Sequence, residues 1–365
     1  MQKKIIALAV AGLASTAAFA QSNVTIYGVA DVYYANARAS GMDSQNVINS
    51  GGLSGSRLGF KGTEALGNGI SALFTLEYGV DVDANTGLGN SSAGARQQMV
   101  GLTGGFGTIV AGRLQTAGYD FACSTNPIGG SALDPIAKLG VSTLLSCAGS
   151  GRASNAAAYI SPNFGGFTVA VNHGRVTEAA NGFGSYTYAL NTATGKIVET
   201  GVVGTDTGKD AYANLLTGVY SNGPVAANLT YSKISMANTP GSDDVVEYGL
   251  GGSFDFKMAK VFGSYQTAKT GDASRNNKWQ LSGAIPVGAG AVVLQYAKNG
   301  IKSTAASDNS TAWNLSYTHS LSKRTTAYAG YTRVSNDDGA KAAAVLTPTL
   351  GGNSSVVAAG VRHTF

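Results

Sequence analysis

The chain has 365 residues and carries 25 Lys and Arg against 20 Asp and Glu, a formal net charge of +5 at pH 7. With 17 Tyr and 12 Phe but only 12 % charged residues, it lacks the high charge and poverty of aromatics that mark a disordered chain. The small positive excess also excludes the dense basic stripe of a nucleic-acid binder. Mean hydropathy is near zero, at +0.04. A chain rich in aromatics, poor in charge and still neutral in hydropathy must interleave apolar and polar residues finely.

Residues 1–20 read as a secretory signal peptide. Lys3 and Lys4 form a basic start, Ile5 to Leu13 an apolar core, and Ala18-Phe19-Ala20 a small-residue cleavage site. The expected mature chain, 21–365, is one domain with no Pro-rich linker. After residue 20 no stretch approaches the roughly 18–20 apolar residues of a membrane helix. Barrel strands remain open, because they need only about 9–11 residues, half of them polar.

From residue 24 onward the pattern has period two. "VTIYGVADVYY" sets Ile26, Gly28, Ala30, Val32 and Tyr34 on one face and Thr25, Tyr27, Val29, Asp31 and Tyr33 on the other. "SALFTLEY" separates Ala72, Phe74, Leu76 and Tyr78 from Thr75 and Glu77, and "AWNLSYTHS" separates Trp313, Leu315, Tyr317 and His319 from Asn314, Ser316 and Thr318. The predicted strands are 24–34, 55–63, 70–79, 96–103, 107–115, 153–161, 166–175, 210–220, 224–233, 245–255, 260–269, 277–285, 290–298, 311–320, 325–334 and 354–365. Their connections alternate between short turns and long loops, the long ones being 35–54, 80–95, 116–152, 176–209, 234–244, 270–276, 299–310 and 335–353. This pattern predicts an all-β fold, a transmembrane antiparallel barrel of 16 strands with its short turns on the periplasmic side. A sheet in lipid must close on itself. The last strand is therefore expected to pair with the first, and Phe365 to be an aromatic at the membrane interface.

Several segments together resemble the trimeric general porins of Gram-negative outer membranes, in particular their beta-proteobacterial branch. They are "VTIYGVADVYY" (24–34), "SRLGFKGTEALGNGISALFTLEYG" (56–79), "VGLTGGFGTIVAGR" (100–113), "AAAYISPNFGGFTVAV" (156–171) and the terminal "GVRHTF". The resemblance implies a homotrimer in outer-membrane lipid, a third loop folded into the lumen, and passage of small hydrophilic solutes and inorganic ions.

Charges inside strands point the same way. Arg57 and Lys61 share a face with Gly59, while Leu58 and Phe60 point oppositely. An Arg on the lipid face at mid-bilayer costs roughly 2–4 kcal/mol, so both cations are expected to face the lumen. Arg57, Arg96 and Arg152 fit the arginine cluster of the resembled family, and Arg113 falls in one of its motifs. Glu77 is expected as the counter-charge near them, with Asp120 and Asp134 of the third loop completing the acidic side of a constriction. Cys123 and Cys147 both lie in 116–152, and an exported chain permits a disulfide between them, a pair that many general porins lack. Within the same loop Asp134 to Gly140 reads as a short helix with Asp as N-cap, Pro first and Gly just past the end.

His173, His319 and His363 are far apart in sequence and lack metal-site spacing, and neither a G-x-S-x-G elbow nor a phosphate-binding loop occurs. No enzyme activity, metal or cofactor is expected. A diffusion channel preferring anions is the leading expectation. A barrel-anchored receptor or adhesin using loops such as 176–209, an outer-membrane hydrolase on a smaller barrel, and a substrate-specific porin are the alternatives.

Overall fold

The computed structural model describes residues 23–88, 94–140, 142–175, 185–191, 196–203, 211–236, 243–273, 275–301 and 308–365. The leader expected over residues 1–20 lies outside the described residues. The wall begins with β1 (Asn23–Ala39), β2 (Met42–Ser50), β3 (Arg57–Gly67), β4 (Ile70–Gly79), β5 (Ala95–Gly104) and β6 (Gly107–Gln115). It continues through β7 (Arg152–Ile160) and β8 (Phe167–Arg175). A separate hairpin, β9 (Ser185–Asn191) with β10 (Lys196–Val203), stands apart from the wall. The remaining wall strands are β11 (Tyr212–Asn222), β12 (Val225–Ser235), β13 (Val245–Asp255), β14 (Lys260–Thr270) and β15 (Asn276–Val287). They are followed by β16 (Gly290–Ile301), β17 (Ser310–Ser320), β18 (Thr325–Asn336) and β19 (Ser354–Thr364).

Every wall pairing is antiparallel, and β1 pairs with β19 from Val29↔Thr364 to Ala39↔Ser354, so the sheet closes. β2 and β3 occupy one position in this ring. β3 pairs with the first part of β1 (Asn23↔Thr63 to Val29↔Arg57) and β2 with its second part (Val32↔Ser50 to Ala39↔Met42). The result is a closed antiparallel barrel of 16 strand positions. The expected loop 35–54 is corrected: strand structure continues to Ala39, turns at 40–41 and returns through β2. β2 reads "MDSQNVINS" and is exposed along most of its length, so neither face carries an apolar stripe and the alternation that marks the other strands is absent.

Outward residues match the apolar faces expected from the sequence. Ile26, Val32 and Tyr34 are exposed while Val29, Asp31, Tyr33, Ala35 and Ala37 are buried, and Leu76, Trp313 and Leu315 also face out. A lipid-facing wall explains exposed apolar residues on strand after strand, a surface that a soluble monomer rarely presents.

The seam closes at the final residue. The Gly28 N–H donates to the Phe365 carbonyl and the Phe365 N–H to the Gly28 carbonyl, both at 3.1 Å. The Phe365 ring lies across Gly28, where an added Cβ would sit 2.3 Å from ring Cζ and 2.8 Å from the Arg57 carbonyl oxygen. Gly28→Val is expected to open this seam at a cost of about 1–3 kcal/mol, typical of overpacking. Thermal unfolding in detergent micelles should show a lowered midpoint, and an unchanged midpoint would contradict the assigned closure.

Candidate functional site

The segment between β6 and β7 is laid inside the ring. It contains helix α1 (Ala117–Ser124), capped by the Thr116 side chain, which accepts from Tyr119 N, and helix α2 (Pro135–Lys138), capped by Asp134. Cys123 and Cys147 form the expected disulfide, with their Cα atoms 5.0 Å apart. By chain entropy such a crosslink, 24 residues apart in sequence, is worth ~3.5 kcal/mol.

Two apolar contacts seat this loop on the wall. Phe121, Leu144 and Leu145 pack on inward Ala213, Leu215 and Ile234. Leu133, Ile136 and Leu139 pack on inward residues of β1 and β16–β19, including Ala35, Ala297, Ala312, Val334 and Val356. At Gly249 an added Cβ would come within 2.7 Å of both Phe121 and Leu145, so the missing side chain lets the loop lie flush. Polar groups of the wall satisfy the loop backbone. Asn299 Nδ2 donates to Leu139 O (2.8 Å), Lys278 Nζ to Gly140 O (3.0 Å), Thr332 Oγ1 to Leu133 O (2.7 Å) and Gln280 Nε2 to Thr125 O. Glu247 accepts from the N–H groups of Thr143 (2.6 Å) and Leu144 (3.0 Å).

A buried carboxylate ties the loop to the opposite seam. Asp31, fully buried on β1, accepts from the N–H groups of Gly52 (3.1 Å), Leu53 (2.8 Å) and Ser54 (2.8 Å) and from the Tyr328 hydroxyl (2.5 Å). It thereby folds 51–56 inward, and the Gly52 carbonyl accepts from Ala132 N of the loop at 2.7 Å. No periodic pattern in 51–56 marks this anchor. The one available signal was Asp31, an acidic residue on the inward face of a strand.

Between the loop and the wall at β3–β7 the arginines converge. Arg57, Arg96, Arg113 and Arg152 line one cavity of about 510 Å³ with Ser54, Gly55, Tyr119 and the disulfide. Glu77 on β4 accepts from Arg96 Nε at 2.6 Å and from the Tyr27 hydroxyl at 3.0 Å, and lies 3.5 Å from Arg57 Nε. Arg113 donates to Ala95 O and to Ser154 Oγ, both at 2.6 Å. Arg152 stacks over the Tyr119 ring at 4.6 Å. Strand parity alone would send Arg96 outward with Val100 and Leu102, and Arg113 outward with Ile109. Bulges intervene. Glu77 pairs with Gln97 and Tyr78 with Ala95, skipping Arg96, and a register shift between Gly112 and Leu114 brackets Arg113. A bulge re-aims a side chain and commonly does so beside functional sites.

The other expected site residues fall differently. Lys61 is exposed and lies 5.2 Å from the Tyr27 ring centroid, outside the arginine cavity. Glu77 belongs to the basic wall itself rather than facing it. Asp134 is corrected: it is 1 % exposed, and its carboxylate accepts from Asn126 Nδ2 (2.8 Å), Gly130 N (3.0 Å) and Ile136 N (3.1 Å), so it shapes the loop instead of meeting solute. Burial pushes its carboxyl up while these donors pull it down. Asp120 is exposed on α1 and makes no ion pair among the described residues. Partial desolvation by the protein close to it pushes its carboxyl up to about 6.

A closed barrel with an apolar exterior, a polar interior and a loop laid within it defines a transmembrane channel. Comparison with known proteins gives the family. A family profile described as Gram-negative porin matches residues 7–339, and the chain belongs to that family. Outer membrane porin protein 32 of Delftia acidovorans is 33 % identical over 390 aligned positions covering 100 % of both chains. An outer membrane porin protein of Bordetella pertussis is 27 % identical, again over 100 % of both. Among solved structures, an anion-selective porin from Comamonas acidovorans aligns with a TM-score of 0.71 at 27 % identity, over 94 % of this chain and 100 % of that one. The protein is an outer-membrane porin, a water-filled channel for passive diffusion of small hydrophilic solutes.

Replacing Asp31 by Ala would strand buried N–H groups at a cost of about 1–3 kcal/mol each and release the Gly52–Ala132 contact. Single-channel records of Asp31→Ala are expected to show a broadened, noisier open level. A level as sharp as the wild type would contradict the anchoring role.

Proposed function

We propose that the arginine cavity is the selective region of the pore, that the third loop narrows the lumen there, and that the channel prefers anions. The observation that carries this reading is four guanidiniums around one cavity with Glu77 as the carboxylate among them. A narrow lumen with low-dielectric walls concentrates ions of opposite sign. Several weak sites admit an anion without trapping it, because the guanidiniums already hydrogen-bond to protein acceptors and share their charge over the cavity. Lys61 adds positive charge on the same wall. Asp120, exposed on the loop, supplies the negative group of a transverse lumen field. The anion-selective character of the Comamonas porin supports the same preference here, over 27 % identical positions. Assembly as a homotrimer is part of this proposal and is supported by the trimer form of a Vibrio cholerae OmpT among the solved structures of the same fold. Phe365, exposed at the seam, is assigned to the interfacial aromatic girdle.

Reversal potentials across a planar bilayer in a salt gradient test the preference. The wild type should give the sign of an anion-selective pore, and Arg57→Gln with Arg96→Gln and Arg152→Gln should lower the anion-to-cation permeability ratio several-fold. A cation-selective wild type would overturn the proposal.

Acidification should strengthen the preference. Asp120 loses its negative charge as pH falls through about 6, which leaves the basic wall less opposed. The three histidines do not confuse this readout, since His173, His319 and His363 share strand faces with outward Val171, Leu315 and Val361. The permeability ratio measured against pH should rise on the acid side in the wild type and stay flat in Asp120→Asn. A rise of equal size in both would remove Asp120 from the lumen field.

A further inference from the structure

The inward wall changes character on the short-turn side of the loop. Behind the loop, β15, β16 and β17 present Gln280, Ser282, Gln295, Asn314 and Ser316. Nearer the short turns the same inward parity on β15 and β16 continues into Ala284, Ala291 and Val293. Val293 is buried with Ile128 in the seat of the loop, whereas Ala284 and Ala291 stay half-buried. All three border a cavity of about 470 Å³, a size that takes a small ligand. Leu53, Pro127 and Ile128 complete its apolar side.

The other side of this cavity is polar and carries one charge. Thr318, Ser320 and Thr326 line it together with Arg362 of β19. Arg362 has the inward parity of buried Val356 and Ala358. Its Nε is buried and has no hydrogen-bond partner among the described residues. Asp31 stands opposite Arg362 in the strand register, but its carboxylate is taken by Gly52, Leu53, Ser54 and Tyr328. No carboxylate among the described residues lines the cavity. Ser54, Cys123 and Gly129 border both this cavity and the arginine cavity, so the two meet at the loop edge.

We infer that this cavity binds monocarboxylates with a flat apolar body, of which an aryl carboxylate is the simplest. The Arg362 fork offers both carboxylate oxygens parallel N–H donors. A buried donor without a partner costs free energy, which a bound carboxylate recovers. The hydroxyls of Thr318, Ser320 and Thr326 stand at the same end, and the apolar body lies against Ala284, Ala291 and Leu53. An inorganic anion gains nothing from that apolar side, and a neutral aromatic leaves the guanidinium unsatisfied. The cavity therefore selects for acid and apolar body together, a preference distinct from the passage of hydrophilic solutes past the arginines. It requires the open lumen but not the anion preference proposed above.

Chloride current through many channels in a planar bilayer, titrated with benzoate, acetate or benzyl alcohol, tests the site. Reversal potentials from the same membranes report the ion preference of the arginine cavity separately, so the two readings fail independently. Benzoate should block saturably, at a half-blocking concentration about tenfold below that of acetate, as removal of about 60 Å² of apolar surface from water gives. Benzyl alcohol, which has the ring without the charge, should need about tenfold more than benzoate. Arg362→Gln should raise the half-blocking concentration of benzoate about tenfold. Should that variant fail to insert, Ala284→Asn with Ala291→Asn should bring benzoate towards acetate while acetate block stays as in the wild type. Equal block by benzoate and acetate in the wild type would overturn the inference, as would benzoate block that survives these substitutions. Benzoate block lost in Arg57→Gln but kept in Arg362→Gln would assign the acid to the arginine cavity and overturn it as well.

Discussion

Within hydrocarbon no water reaches a backbone N–H or C=O, and each group left unpaired costs several kcal/mol. That cost forces the sheet of this porin to end where it began. β19 returns to β1, and the last residue exchanges two backbone hydrogen bonds with Gly28. Closure then divides each spanning strand into two populations by parity. One meets lipid and is apolar, as Ile26, Leu229, Leu281 and Leu315 are. The other faces an enclosed lumen whose character the remaining residues decide.

A loop inside a water-filled lumen has no core of its own, and this one borrows from the wall. Inward alanines and glycines on β11, β13 and β16–β19 make room for Phe121, Leu133, Leu144 and Leu145, while Asn299, Thr332 and Glu247 satisfy the loop backbone. The disulfide and the Asp31 anchor fix what packing alone would leave loose. The loop packs mainly on the far strands, and the cavity between it and the near wall is where Arg57, Arg96, Arg113 and Arg152 gather. The placement of the basic cavity is thus a consequence of where the loop finds apolar support.

Much of this was legible in the sequence because lipid imposes a strict period. The strand positions followed from alternation, the lumen orientation of Arg57 from the cost of a charge in hydrocarbon, and the Asp134-capped helix from its end signals. The failures share a cause, namely places where period two does not apply. β2 is polar along most of its length and shows no stripe. Arg96 and Arg113 reach the lumen through bulges, which shift parity without a marker in the residues themselves. Asp134 was assigned both to a cap and to the pore, and its carboxylate is consumed by the cap. Asp31 carried a readable anomaly, a charge on an inward strand face, but its partners lie in a segment whose inward fold depends on that same contact.

Anion preference in this channel rests on the cavity between the loop and the arginine-bearing wall. Anomalous diffraction from crystals equilibrated in rubidium bromide examines it directly. Bromide density is expected in the cavity between Arg57, Arg96, Arg113 and Arg152, with rubidium excluded from it. Rubidium in that cavity, or bromide distributed along the lumen without preference for it, would rule out anion selection at these arginines.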